Sequence, residues 1–366
     1  METELEQQNS LQATIVYSDR KKDLLMDFSE RKKVIFLFIS LTILVLIALI
    51  TIVAGTYDLT IYDVYHVIFS HLMGLDTTLL DKVHNTIVWE IRLPRILVCI
   101  MVGIGLATSG ATYQGAFRNP LVEPFILGIS AGASFGASLG ILYPHLFLNI
   151  QISAFLFALL SVFIAYSVSR VEGKNPIVAL ILAGVVISSL FQALVSILKY
   201  TSDDTALRAI VFWIMGGFYY ANWKDVVLMT PVMLVSFSIL WLLSWKLNIL
   251  SMGDEEARSL GVNPDRLKII FIVIATLMTA IAVATVGIIA WVGLMMPHAA
   301  RMVLGPDHRF VLPASAIMGA IYMLICDTLA RTMTTAEIPV SIITSLLGAP
   351  YLFYLLRTKG RFIFSS

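Results

Sequence analysis

Ten long apolar runs are the feature that most constrains this 366-residue chain. A helix needs about 20 apolar residues to cross a bilayer, and in lipid every backbone polar group must be paired within the protein. Only 13% of the residues are charged, whereas soluble domains carry about 25%. The chain is therefore predicted to be an all-α polytopic membrane protein. The ten predicted spans are Val34–Ala54, Leu93–Gly115, Pro124–Leu142, Ile152–Ser169, Ile177–Leu198, Val227–Trp245, Ile269–Val286, Ile288–Met302, Val311–Ala330 and Ile338–Leu356.

The distribution of basic residues predicts the orientation of these spans. Cytoplasmic loops carry an excess of Lys and Arg, and placing both termini inside puts 18 of the 25 Lys and Arg residues on the cytoplasmic side. Residues 1–33 lack the pattern of a secretory signal and are predicted to be a disordered cytoplasmic tail; residues 362–366 are predicted to be a C-terminal tail. The net charge of +1 gives no basis for nucleic-acid binding.

One polar segment, Ser251–Lys268, interrupts the apolar pattern on the predicted cytoplasmic side. Ser251 is predicted to cap a short helix, with Asp254 in the capping-box position. Gly261 and Pro264 are predicted to end that helix. Such a segment is either a solvated connector or a part that contacts another protein.

Two patterns concern packing and charge within the spans. Small residues recur every fourth position at Gly128, Gly132, Gly136 and Gly140, which predicts close helix packing. Near the outer ends, Asp327 and Arg331 lie four residues apart and are predicted to pair on one helix face. The interpretation that Arg331 instead meets an outside partner is equally favoured.

Two outer arginines depart from the charge trend. Arg92 and Arg95 lie at the outer mouth of the second predicted span. They are predicted either to bind an acidic surface outside the cell or to extend to lipid phosphates.

The sequence contains no visible catalytic equipment. The six histidines are scattered, Cys99 and Cys326 fall in apolar runs, and there is no phosphate-binding loop, so no metal site and no enzyme activity are predicted. Ion-coupled carriers usually place ionisable groups near the membrane midplane, and this chain offers few. An external motor is therefore favoured for any uphill transport. The alternatives are a secondary transporter, an intramembrane enzyme and a structural scaffold.

Seven segments together resemble one family. They are IRLPR (91–95), GATYQGAFRNPLVEPFILGISAGASFGASLG (110–140), GDEEARSLGV (253–262), WVGLMMPHAAR (291–301), GPDHR (305–309), CDTLAR (326–331) and IPVSIITSLLGAPYLFYLL (338–356). Their order and spacing resemble the permease subunits of type II ATP-binding-cassette (ABC) importers for iron chelates, haem and cobalamin, the FecCD-type permeases. The resemblance covers residues 34–361, which are expected to form a single permease domain.

This resemblance implies a fold, partners and a solute class. It implies about ten transmembrane helices in the cytoplasmic membrane and a second, identical permease subunit. It also implies two ATPase subunits that hold ATP and Mg, and an external solute-binding protein. No cofactor is expected in this chain. The implied solute is an iron-siderophore-type chelate, with cobalamin, haem or molybdate as alternatives.

The resemblance also implies roles for particular residues. The coupling helix to the ATPase, about 253–262, includes Asp254, Glu255, Glu256, Ala257, Arg258, Ser259, Leu260 and Gly261. The residues implied to dock the binding protein are Arg92, Arg95 and Arg331. Those implied to lie near the cytoplasmic gate are Arg118, Asn119, Pro120, Asn175 and Pro176.

Overall fold

A computed structural model of the chain describes residues 30–55, 57, 59–75, 81–146, 149–170, 177–334 and 336–363. Most of the predicted N-terminal tail lies outside these residues, as do the last three residues of the predicted C-terminal tail. Asn175 and Pro176 of the predicted gate also lie outside them. Within the described residues, all regular secondary structure is helical.

The described helices follow one another as fifteen α-helices and one π-helix. They are α1 (Glu30–Val53), α2 (Ile61–Leu72), α3 (Lys82–Asn85), the π-helix (Thr86–Arg92), α4 (Leu93–Ala116), α5 (Ile129–Leu142), α6 (Ile150–Val168), α7 (Ile177–Thr201), α8 (Asp204–Met215), α9 (Trp223–Leu242), α10 (Ser244–Met252), α11 (Asp254–Ser259), α12 (Pro264–Val286), α13 (Val292–Leu304), α14 (His308–Thr332) and α15 (Val340–Ile363).

Ten of these helices coincide with the ten predicted apolar runs. Among the described residues, seven helical segments are long and apolar enough to cross a membrane. Three shorter apolar helices, which are α5, α13 and the first part of α15, account for the rest. The prediction of an all-α protein with about ten membrane helices is confirmed.

Glycines explain where two helices begin later than predicted. Gly128 has a left-handed φ of 87°, so α5 starts at Ile129 rather than at Pro124. Gly287 has a φ of 75° and lies against the Trp213 carbonyl. Residues 287–291 are consequently not helical, and the eighth apolar helix starts at Val292. Positive φ is accessible to glycine at little cost, which is why these breaks fall there.

Helix α4 lies at the centre of the bundle, packed against α12, α13 and α14. Its backbone approaches its neighbours where glycines meet. A Cβ atom added to Gly103 would lie 2.5 Å from the Gly319 carbonyl oxygen of α14. One added to Gly110 would lie 1.8 Å from the Gly293 carbonyl oxygen of α13. Any larger residue would force these helices apart.

The glycines predicted to pack helices lie mostly against α6. Added Cβ atoms on Gly132 and Gly136 would come within 2.4 and 2.3 Å of carbonyl oxygens of α6. Gly140 faces the start of α6 at Ile150. Gly128 differs from the others, because it is the N-cap of α5 and faces α7.

The helices define two ends of the bundle. At one end α4 finishes next to α10, because the Ser251 hydroxyl donates to the Gly115 carbonyl over 3.2 Å. We call the end formed by the last turn of α4, by α10 and by α11 the coupling end. At the other end the Arg92 side chain donates to the last carbonyls of α1. We call this the arginine end, and its members are Arg92, Arg95 and Arg331.

Candidate coupling and docking sites

The short helix α11 at the coupling end starts differently from its prediction. Ser251 lies inside α10, and its hydroxyl donates to the Leu247 carbonyl over 2.8 Å. The predicted Ser251 cap is therefore wrong. Residues 244–252 form a helix of their own because Leu247 and Leu250 bury one face of it. Helix α11 then begins after Gly253, which has a φ of 147° and no side-chain cap.

The end of α11 follows the sequence pattern. Gly261 has a φ of 77°, and its N–H donates to the Arg258 carbonyl over 3.0 Å. The Val262 N–H donates to the Ala257 carbonyl over 2.9 Å. These two bonds form a Schellman motif. Pro264 then opens α12, which Asn263 caps through its side chain.

The residues of α11 divide into an inner and an outer set. Ala257 is fully buried, and Asp254 accepts from the Lys268 ammonium of α12 over 2.6 Å. The exposed residues are Glu255, Glu256, Arg258, Ser259 and Leu260. Leu260 is 57% exposed, which is costly for an apolar side chain that contacts only water. The outer set therefore forms the solvent-exposed surface of this segment.

Asp254 also connects α11 to the predicted gate turn. Its carboxylate lies 3.6 Å from the Arg118 guanidinium, which follows the end of α4. Arg118 has a φ of 52°, and the Asn119 side chain accepts from the Leu121 N–H over 2.9 Å. One carboxylate thus joins α11, α12 and the α4–α5 turn.

A polar cluster beside α4 at the coupling end was not predicted. The Asn248 amide donates to Asp307 over 2.7 Å and accepts from the His308 N–H over 2.8 Å. Burial raises the pKa of the Asp307 carboxyl, but hydrogen bonds from Arg309 and Asn248 outweigh it and lower the pKa to about 2. Asp307 is the N-cap of α14, and an acidic residue shortly before a long apolar run was the signal that could have found it.

A second unpredicted contact fixes α13 to α4. Gln114 accepts a hydrogen bond from Arg301, and its amide donates to the Val122 carbonyl over 3.1 Å. The same amide also contacts the carbonyls of Gly293 and Leu294 at 3.3 Å. Gln114 and Arg301 lie 187 positions apart, and no local spacing links them. The sequence therefore did not indicate this contact.

Arg95 is the centre of the arginine end. Its guanidinium donates to Asp327 of α14 over 2.8 Å and to Glu337 over 2.9 Å. The Asp327 side chain is fully buried, whereas that of Glu337 is 36% exposed. Arg95 thereby joins the start of α4 to α14 and to the segment before α15. Glu337 was not among the predicted residues.

Arg331 and Arg92 are bound to the chain in different ways. Arg331 pairs with Asp327 over 3.1 Å, as their spacing predicts, and donates to the Ala54 carbonyl. Its Nη2 atom is buried without a hydrogen-bond partner among the described residues. Among the described residues, Arg92 donates to backbone carbonyls, including that of Tyr57 over 2.7 Å. Both side chains are buried, as is that of Arg95, so neither Arg92 nor Arg95 extends to lipid phosphates.

Among the described residues, the arginine end carries more guanidinium groups than carboxylates. Three guanidinium groups meet two carboxylates, Asp327 and Glu337, among the described residues. Buried charges are costly unless they are paired and hydrogen-bonded. An anion close to the Arg331 Nη2 atom would therefore be favourably paired.

Comparisons with known proteins identify the relatives of this chain. The model of the FecCD transport family matches residues 42–358. The molybdate import system permease protein MolB of Haemophilus influenzae is 39% identical over 322 residues, which cover 87% of this chain and 95% of that protein. The cobalamin import system permease protein BtuC of Halobacterium salinarum is 42% identical over 276 residues, 75% of this chain and 74% of that protein.

A solved structure shares the fold. It is described as a metal-chelate type ABC transporter in an inward-facing conformation, and it is 38% identical to this chain. The TM-score is 0.78, and the match covers 88% of this chain and 98% of that chain. The likeness therefore extends over the whole bundle.

Proposed function

This chain belongs to the FecCD transport family, and from that premise we propose that it carries an iron-siderophore-type metal chelate across the cytoplasmic membrane. It is an integral membrane permease of the ABC type, and ATP hydrolysis belongs to partner subunits. The observation that supports a chelate is the 38% identity to a metal-chelate type transporter over 88% of the chain. The relatives that import molybdate and cobalamin make these solutes the alternatives.

The experiment for the solute is a transport panel. The permease is reconstituted with the ATPase and binding protein of its own system, and ATP-dependent uptake of ferric siderophores, haem, cobalamin and molybdate is compared. Preferred uptake of a ferric siderophore supports the proposal. Preferred uptake of one of the other solutes replaces it. Uptake without ATP, driven by an ion gradient, would instead indicate a secondary transporter.

We further propose that the coupling end faces the cytoplasm and that the outer set of α11 contacts an ATPase subunit. Leu260 supplies exposed apolar area, and Glu255 and Arg258 supply charges of both signs on the same short helix. Asp254 and Ala257 point the other way and fix α11 to the bundle. A capped helix held in this manner moves as a rigid body when the ATPase closes.

The test of this coupling role is Leu260→Asp, with Arg266→Asp in the exposed first turn of α12, outside the outer set, as the control. Because Leu260 contributes the apolar part of the surface, we expect Leu260→Asp to abolish uptake and ATPase co-purification, while Arg266→Asp retains most of both. Gly261→Pro is expected to abolish uptake as well, since it removes the N–H that ends α11. Normal uptake by Leu260→Asp with intact membrane insertion would refute the coupling role.

We also propose that a solute-binding protein docks at the arginine end. Arg95 already holds two carboxylates, so an incoming acidic side chain has more to gain from Arg331, whose Nη2 atom lacks a partner. Glu337 is the exposed member of the cluster and lies between solvent and Arg95. Docking therefore adds a carboxylate of the partner at Arg331 and exchanges Glu337 for a second one at Arg95.

We propose that Arg118, Asn119 and Pro120, with Asn175 and Pro176, lie at the cytoplasmic gate. The link from Arg118 to Asp254 supports this, because it connects the turn to α11. We propose that two copies of the chain form the permease dimer, and native mass spectrometry of the purified complex tests this.

A further inference from the structure

Helix α2 lies on the surface at the arginine end and has two distinct apolar faces. It begins with a complete capping box between Thr60 and Asp63. Its inner face buries Val64 and Val67. On the same side the His71 ring stacks on Trp89 of the π-helix, with ring centroids 3.9 Å apart. The helix is thus firmly attached to the bundle through its inner face.

The opposite face of α2 is also apolar, although it is exposed. With a helical repeat of 3.6 residues per turn, positions 61, 65, 69 and 72 fall on one side. Together with their neighbours, the exposed apolar residues are Ile61, Tyr62, Phe69, Leu72 and Met73. Leu72 is 71% exposed and Phe69 is 56% exposed. A contiguous apolar surface of this kind marks an interaction site.

The neighbouring surface indicates what covers this face. The Tyr65 hydroxyl donates to the Leu49 carbonyl over 3.0 Å, which places the outer face of α2 beside the last turn of α1. Helix α1 is a 24-residue apolar helix with few buried residues, and its Leu46 and Ile50 are 53% and 67% exposed. In a membrane protein such a stripe faces lipid. The outer face of α2 continues that stripe beyond the end of α1.

We propose that the outer face of α2 lies in the membrane interface and that its partner is the lipid surface of the leaflet at the arginine end. Amphipathic helices with aromatic and leucine residues bury such a face about 5–10 Å deep at the headgroup boundary. Tyrosines are enriched at this depth, which suits Tyr62 and Tyr65. The helix would hold the π-helix, and with it Arg92, at a fixed height above the bilayer.

Site-specific fluorescence can test this placement. Phe69→Cys and Leu72→Cys variants are labelled with bimane in nanodiscs of phosphatidylcholine and phosphatidylglycerol. Lys82→Cys, at the exposed and charged start of α3, is the control. Unsubstituted protein gives the background, because Cys99 and Cys326 are buried. Quenching is measured with shallow doxyl lipids and with aqueous iodide.

We expect doxyl lipids to quench labels at positions 69 and 72 at least twofold more than the label at position 82, with the reverse order for iodide. Equal iodide quenching at all three positions would overturn the proposal. It would also be overturned if positions 69 and 72 became shielded only on adding the binding protein, or only in cross-linked pairs of this chain. The quenching measurements do not depend on transport. Their result therefore stands even if the permease is found to carry another solute.

Discussion

The carboxylate of Asp254 offers the sharpest test of how α11 is attached to the bundle. It lies 2.6 Å from the Lys268 ammonium and 3.6 Å from the Arg118 guanidinium. The perturbation is Asp254→Ala. The Lys268 side chain is only 10% exposed, so the substitution leaves a nearly buried ammonium without its closest partner.

The size of the effect follows from burial. Removing one partner of a fully buried ion pair costs about 3–5 kcal/mol, whereas exposed pairs contribute about 0.2–1 kcal/mol. Because the Asp254 side chain is 31% exposed, an intermediate loss of ~2 kcal/mol is expected from these two limits. At about 1.4 kcal/mol per factor of ten, this corresponds to roughly a 30-fold shift in the folding equilibrium.

The assay uses the chain's own thiols. Cys99 and Cys326 are buried, so a thiol-reactive dye reports their exposure during thermal unfolding in detergent. With about 2 °C per kcal/mol for large domains, Asp254→Ala should lower Tm by roughly 4 °C. Asp265→Ala is the matched control, because it breaks the exposed pair of Asp265 with Arg258 and should shift Tm by under about 2 °C.

A double-mutant cycle isolates the pair. In Lys268→Met the ammonium is absent, so adding Asp254→Ala should cost much less than it does alone. Uptake should also fall in Asp254→Ala while the ATPase still co-purifies, since the outer set of α11 is retained. The role of this carboxylate would be refuted if the effects of the two substitutions were additive. It would also be refuted if Asp254→Ala had the same Tm and uptake as the Asp265→Ala control.

Three further predictions concern other parts of the molecule. Glu337→Gln should strengthen binding-protein docking several-fold in low salt, because it releases Arg95 from one carboxylate; unchanged affinity and salt dependence would contradict the exchange. Gly110→Ala should destabilise the bundle by about 1–3 kcal/mol through overpacking against Gly293, measured as a lower Tm. The pKa of Asp307 lies below its ordinary value, so its stabilising effect is present above about pH 4 and is lost as pH falls toward 2; Asp307→Asn should remove that part of the acid unfolding curve.

The apolar helices were predictable because bilayer thickness and backbone pairing leave few solutions. The end of α11 at Gly261 was also predictable, because it depends on one residue with positive φ. Ser251 was misassigned because cap propensity says nothing about whether the preceding residues are helical. Burial of Leu247 and Leu250 made them so.

The contacts that complete each site were not predictable, because they join residues far apart in sequence. Arg95 meets Glu337 across 242 positions, and no local pattern specifies that distance. Arg92 was expected to face a charged group, but it binds main-chain carbonyls of α1. Any residue type can supply a carbonyl, so such a partner leaves no trace in the sequence.

Helix α4 connects the arginine end to the coupling end, so it can link the free energies of binding at the two ends. Arg95 lies in its first turn, and Gly115, which accepts from Ser251 of α10, lies in its last. Twenty residues at 1.5 Å each span about 30 Å in one unbroken rod. If binding at one end changes the position of this rod, thermodynamic linkage requires the same free energy at the other end. Binding of the ATPase must then change the affinity for the solute-binding protein by the same factor by which the solute-binding protein changes the affinity for the ATPase.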